Sequence, residues 1–348
     1  MESPSALEYG FMIFWYIVIV ASATCYAMLD GFDLGVGALH LFARKDEERR
    51  IFLNAIGPVW DANEVWLVIL IGGLFAGFPF AYATLLSAFY IPITLLIFSL
   101  IFRAVAIEFR SKAPMKWWRN GWDILFSTAS LFIALGIGMA LGNLVVGLPL
   151  DANQEYVGGM INTFYRPYPI LVGILTISLF TMHGAIFLVM KTEGDLQKKL
   201  KEWVKHTMIF FIITYAVTTM VTLVYQPHMT QHLRERPILF LVALANILVI
   251  ANIPRLENKK QYGWAFVYSC VNIALLLTLF ALGSFPDVIR SSIDPATNSI
   301  TVSTASANLK TLQVLAVIVG IGLPFVFGYG YYIYRLFRGK VELDHMSY

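Results

Sequence analysis

Apolar residues run along this chain in long uncharged stretches, at Phe11 to Leu29, Leu67 to Phe102, Ile124 to Leu150 and Met208 to Gln226. A bilayer core about 30 Å thick takes roughly 20 apolar residues of helix. Several stretches meet that length alone, and Leu67 to Phe102 is long enough for a helical hairpin broken near Pro79. A soluble helix keeps a polar face, which these lack. The strands of a membrane barrel would alternate apolar and polar residues, which these do not. The pattern predicts an all-α integral membrane protein of about nine transmembrane helices in a single membrane domain, 1–348. The spans are expected at 11–43, 51–78, 80–109, 121–146, 167–190, 207–225, 237–253, 262–283 and 309–335.

Composition agrees, since 58% of the residues are hydrophobic and 14% charged, against about 25% charged in soluble domains. Charge placement sets an orientation. With the N-terminus extracytoplasmic, 19 of the 25 Lys and Arg residues fall in segments 44–50, 110–120, 191–206, 254–261 and the tail from 335, and 5 fall on the opposite side. By the positive-inside rule the basic side is cytoplasmic, and so is the C-terminus. Glu2 and Glu8 precede any basic residue, so the first apolar run reads as a retained helix rather than a cleaved signal. Segment 284–308, rich in Ser and Thr, is expected to be a polar surface loop. Gly31 with Gly35, and Gly138 with Gly142, have the four-residue spacing that lets helix backbones approach; packing within the chain is the expectation. Cys25 and Cys270 lack a C-x-x-C partner, so disulfide and zinc readings are weak. No phosphate-binding glycine loop is present, and nothing points to a nucleic-acid partner.

Ionisable side chains inside spans are costly, about 2.5–3.5 kcal/mol each at a helix centre on the insertion scale, and mark function. The first four spans hold Asp30, Asp33, His40, Asp61, Glu64, Arg103, Glu108 and Asp123. The first loop centres near Glu47, with Asp33 and Asp61 each 14 residues away and Asp30 and Glu64 each 17. An antiparallel hairpin therefore predicts these acids at matching depths, at most about 21 Å from the loop centre. Asp30, Asp33, Gly37 and His40 share one helix face, and Gly57, Asp61, Glu64 and Val68 share another. Arg103 reaches the same depth and can balance one carboxylate, while Glu108 and Asp123 lie nearer the cytoplasm. Three chemistries fit: a proton path from the cytoplasm, a set of satisfied structural ion pairs, and a hard-cation site as in a secondary cation or solute transporter. An intramembrane His can hold haem iron, but only His40 and His183 lie within spans, so a hydrogen-bonded structural role is expected for His183. His206, His228, His232 and His345 fall at or outside the boundaries. Trp117, Trp118 and Trp122, and Tyr329, Tyr331, Tyr332 and Tyr334, read as interfacial aromatics.

The run Asp30-Gly31-Phe32-Asp33-Leu34-Gly35-Val36-Gly37 resembles the first-helix signature of cytochrome bd ubiquinol oxidase subunit II. Gly57-Pro58-Val59-Trp60-Asp61-Ala62-Asn63-Glu64-Val65-Trp66-Leu67 resembles its second-helix signature, and similar residues follow in order at Phe102-Arg103, Glu108 to Lys112, Trp118 to Asp123, Gly142-Asn143-Leu144 and Trp264 to Val267. The resemblance covers essentially the whole chain. It implies two four-helix bundles, 1–146 and 167–283, plus one additional helix at 309–335. It implies an oxidoreductase subunit of a bacterial cell (inner) membrane, in a complex that oxidises quinol and reduces dioxygen to water. It places two haems b and one haem d in partner subunit I, with no haem, metal or catalytic residue on this chain. It leaves open a structural quinone and a small single-helix accessory subunit. This subunit is expected to support subunit I and to help conduct cytoplasmic protons, with Asp30, Asp33, Asp61 and Glu64 in the path and His40, Trp60, Arg103, Glu108 and Asp123 supporting it. Glu64 stands where some members have glutamine, which favours Asp61 as the carrier. Asp61→Asn is expected to slow oxygen consumption while the complex keeps its full haem content; an unchanged rate would refute the role.

Overall fold

The computed structural model describes residues 4–343, so Glu2 and His345 lie outside the described residues. The chain folds as α1 (Ala6–His40), α2 (Asp46–Ile56), α3 (Trp60–Gly77), α4 (Pro79–Ala88), α5 (Tyr90–Phe109), α6 (Lys116–Val146), α7 (Met160–Phe164), α8 (Pro167–Lys191), α9 (Gly194–Tyr225), α10 (Gln231–Glu235), α11 (Phe240–Asn258), α12 (Tyr262–Ser284), α13 (Val302–Ala305) and α14 (Leu309–Leu336). Among the described residues nine helices are long and apolar enough to cross a membrane: α1, α3, α5 with the 3-10 turn after it, α6, α8, α9, α11, α12 and α14.

Three expected boundaries move, one of them the sixth span, which begins at Gly194 rather than 207. The second span does not run 51–78. Its first half is α2, whose charged residues precede the buried Phe52, Leu53, Ala55 and Ile56. The helix then breaks at Gly57–Val59: Gly57 keeps helical backbone, Pro58 has no N–H to continue the ladder, and Val59 leaves the helical region. The membrane-length helix starts at Trp60. The third span likewise starts at Tyr90 rather than 80. Pro79 opens the short α4, and a helix running on through Phe89 would drive the ring of Pro92 against the Ala88 carbonyl.

Helix α8 is the most enclosed of the nine. It packs on α1, α6, α9 and α12, while α1 also packs on α3 and α6, α5 on α6, and α11 on α12. The small residues make the α8 contacts close. A Cβ at Gly31 would meet the Phe180 ring at 2.8 Å, and one at Gly184 would meet the Gly35 carbonyl carbon at 2.5 Å. On α6, a Cβ at Gly138 would meet Gly173 Cα at 2.7 Å, and one at Gly142 would meet Pro169 Cα at 2.6 Å. Both expected glycine pairs therefore serve packing within the chain.

At the end away from the basic loops, β1 (Asp287–Ile289) pairs antiparallel with β2 (Ile300–Thr301). The segment 284–308 is not simply a polar surface loop. Ser291 and Ser299 are buried. The Ser291 amide donates to Ser299 Oγ at 3.0 Å, and Asn298 Nδ2 donates to the Leu150 carbonyl at 3.1 Å. Its hydroxyl and amide side chains satisfy backbone groups that packing has removed from water.

Gly35→Leu is expected to destabilise the subunit by about 1–3 kcal/mol or more through overpacking against α8. Gly72→Ala, where a Cβ has nothing within 4 Å, is expected to leave it intact. Thermal unfolding of the two purified variants checks both.

Candidate functional site

The polar face of α1 organises two layers of charge. In the deeper layer Arg103, fully buried on α5, donates from Nη1 to Asp30 Oδ2 at 2.9 Å and from Nη2 to Asp30 Oδ1 at 2.6 Å. The same Nη2 donates to Glu64 Oε1 at 2.8 Å. The planar guanidinium suits this forked geometry, which an ammonium could not reproduce. Asp33, one turn along α1, accepts from Asn63 Nδ2 at 2.7 Å. Asn63 Oδ1 in turn accepts from the Tyr334 hydroxyl at 2.8 Å, tying α14 to the layer. Two carboxylates thus share one guanidinium while a third carboxyl, Asp33, has a neutral amide beside it, an excess of proton-accepting sites over fixed positive charge.

The second layer lies two turns towards the basic end. His40 Nε2 is 2.6 Å from Asp123 Oδ1. Asp123 also accepts from Arg110 Nε at 2.5 Å and from Arg49 Nη1 at 2.8 Å. Arg110 continues to Asp46 at 2.7 Å, and Arg119 joins Asp46 at 3.0 Å. His40, Arg110 and Asp123 are buried, while Asp46 is half exposed. Nearby on α2, burial opposes ionisation of Glu48, but the hydrogen bond from Lys199 and the amides of Lys45 and Arg44 hold its carboxyl below the usual range.

The expected pairing of depths holds for Asp30 and Glu64, which meet through Arg103. Asp33 meets Asn63, two residues beyond Asp61, rather than Asp61 itself. Asp61 sits exposed in the first turn of α3. The expected face of Gly57, Asp61, Glu64 and Val68 loses Gly57 to the break. Asp61 and Val68 turn away from the chain's own core, with Val68 70% exposed, whereas Glu64, its side chain 25% exposed, reaches in to Arg103. Trp60 packs on the core cluster, and Glu108 is half-buried near the end of α5. Arg103 balances two carboxylates rather than one.

Sequence reasoning missed Asn63, Tyr334, Arg110, Arg49 and Asp46. Asn63 stood inside the second signature, but Tyr334 was set aside as an interfacial aromatic. His183 is buried with both ring nitrogens engaged, Nδ1 at 2.7 Å from Ser269 Oγ and Nε2 at 2.9 Å from the Met28 carbonyl. It also stacks on Phe266 at 4.8 Å between centroids. The expected hydrogen-bonded structural histidine is what the structure contains. Among the described residues no group of three or more His, Cys, Asp or Glu could hold a metal ion.

The family model described as cytochrome bd terminal oxidase subunit II matches residues 11–337. The chain belongs to this family. It is 33% identical over 330 residues to the cytochrome bd ubiquinol oxidase subunit 2 of Bacillus subtilis, covering 94% of this chain and 96% of that one. It is 29% identical over 363 residues to the cytochrome bd-I ubiquinol oxidase subunit 2 of Escherichia coli K12, covering 96% of each. The fold also matches a chain of the bd oxidase from Geobacillus thermodenitrificans, with a TM-score of 0.78 at 17% identity, over 94% of this chain and 98% of that one. A subunit II of a bd-type oxidase is part of an oxidoreductase complex that carries haem and includes a subunit I. Nothing in these likenesses supports a transporter.

Arg103→Leu would leave Asp30 buried without its counter-ion. That is expected to cost about 3–5 kcal/mol and to deplete assembled complex, with Asp30→Asn in the same chain recovering part of it. Membrane levels of assembled, haem-containing complex check the pair.

Proposed function

We propose that this chain braces the haem-bearing subunit I of a quinol:oxygen oxidoreductase and helps deliver cytoplasmic protons to the site of oxygen reduction. The observation that carries this reading is the deep layer, where Asp30 and Glu64 share the single guanidinium of Arg103 and a third acid, Asp33, is held by the neutral amide of Asn63. A purely structural ion pair needs one carboxylate, and the surplus acids supply exchangeable proton sites inside the membrane. Asp61 is exposed on α3, and Glu64 is partly exposed beside it while its Oε1 reaches in to Arg103. Carboxyl groups on a lipid-facing surface are strongly disfavoured, so subunit I is taken to cover this face and to receive the protons there. Trp60, Glu108, His40 and Asp123 support the route.

The Lys and Arg distribution supports a cytoplasmic basic end, with the N-terminus extracytoplasmic. In this reading the two-bundle division, 1–146 and 167–283 with 309–335 outside it, separates the acidic layers from a second bundle. That bundle borders an apolar cavity of about 500 Å³, lined among others by Tyr168, Tyr215, Thr222, Phe240 and Phe280. Its apolar walls and few polar groups suit a quinone held as a structural cofactor. Two haems b and one haem d are assigned to subunit I, where they perform the electron transfer and oxygen chemistry.

Tagging this chain, co-expressing it with its genomic neighbours and purifying it in mild detergent tests the assignment. A reduced-minus-oxidised visible spectrum with haem b and haem d bands, together with a larger co-purifying chain, is expected. A colourless chain purifying alone from cells that make haem d would overturn it.

A further inference from the structure

We propose that His40 is the proton-loading group that joins the basic-end cluster to Asp33 along the seam between α1 and α6. This rests on the proton-path reading above and names its entry step.

The geometry of two helices carries it. On α1, Asp33, Gly37 and His40 follow one face, so His40 lies two turns, about 10 Å, from Asp33. On α6, Asp123 and Ser130 are also seven residues apart, with Ser127 between them on the same face. The helices meet at both levels: His40 bonds Asp123, and the bare backbone of Gly37 lies against Ser130, whose Cβ is 2.5 Å from where a Gly37 Cβ would stand. Between the two charged layers the seam is thus lined by a glycine and by the buried serines Ser127 and Ser130. Ser130 spends its proton on the Phe126 carbonyl at 2.8 Å, which leaves its oxygen lone pairs as acceptors.

Two buried atoms lie at either end of this stretch of α1. His40 Nδ1 and Asp33 Oδ1 are each buried with no hydrogen-bond partner from the protein. Buried polar atoms of this kind are normally satisfied by water, and both belong to the same face of α1. Asp123 faces His40 from α6, and Arg110 and Arg49 face it through that carboxylate, with Asp46 and Arg119 behind them. The arginines stay charged at every working pH, and three cationic or N–H donors on Asp123 hold it as the acceptor. Histidine is therefore the group of this layer that can gain and lose a proton. The rings of Phe126 and Phe52 flank it at 5.1 and 6.4 Å between centroids.

The step balances at one atom. Nε2–H donates to Asp123 throughout. A proton from the cytoplasmic side forms an N–H bond at Nδ1, the imidazolium is offset by the Asp123 carboxylate, and the same N–H bond breaks as the proton passes to Asp33, where an O–H bond forms at the carboxylate Oδ1.

The test uses the complete complex in proteoliposomes, with quinol-driven oxygen consumption and proton uptake measured from pH 5.5 to 8.5. His40→Gln keeps a donor for Asp123 but cannot load a proton. It is expected to run about tenfold or more slower, with the deficit changing across the pH range and haem content unchanged. Ser130→Ala is expected to show a smaller loss of the same kind. Asp33→Asn separates the two readings. If Asp33→Asn is slow and His40→Gln runs at the parental rate with the parental pH profile, His40 is not the entry group. If both run normally, the proton-path reading falls as well. Should His40→Gln fail to assemble, an unchanged rate in assembled Ser130→Ala complex overturns the proposal.

Discussion

A guanidinium held out of water between two carboxylates dominates the architecture of the first helices. Arg103 reaches Asp30 with both terminal nitrogens and Glu64 with one of them, and this fixes the relative depth of α1, α3 and α5. In a bilayer most of the contact between apolar helices gains little over contact with lipid, so association depends on close packing and polar bonds. An arginine and its acids cannot separate without leaving charge in a low dielectric. That makes the ion pair a register device. Once Asp30 and Arg103 are joined, Asn63 of α3 is placed to meet Asp33, and Tyr334 of α14 closes over Asn63 from a position 271 residues later in the chain.

The glycines on α1 complement this constraint. Gly31 and Gly35 bring α1 against α8 at Phe180 and Gly184, while Gly37 brings it against α6 at Ser130. Charged and small residues interleave on a single helix, so that α1 carries its acids deep without displacing neighbouring backbones. The cost of buried charge is met by hydrogen bonds on one side and by dense packing on another. Layers of charge two turns apart result, joined by a seam too narrow for larger side chains.

Membership of the bd terminal oxidase subunit II family gives these layers a context. The apolar exteriors of α5, α9, α11 and α14 are compatible with lipid or another apolar helix, but the face of α3 that carries Asp61 and part of Glu64 is not compatible with lipid. A subunit whose ionisable residues open sideways from its own core is suited to acting through a partner.

The number and approximate position of the membrane helices were legible in the sequence, because a bilayer imposes a length and an all-round apolarity that few other environments demand. The common face of Asp30, Asp33 and His40 was legible too, since helical periodicity is local. The helix breaks were harder to see. Pro58 and Pro92 interrupt runs that composition alone reads as continuous, and it is Asn63, rather than Asp61, that meets Asp33. Charge partners lay further out of reach. Arg110 and Arg49 join Asp123, and Tyr334 joins Asn63, through contacts that depend on how separate helices assemble. The sequence by itself therefore determined the medium, the helix count and which residues share a helix face, all consequences of short-range geometry and solvent. Tertiary structure alone decided which charges pair and where the seam between the two layers runs, because those depend on helix rotation and on backbone approach between residues far apart in the chain.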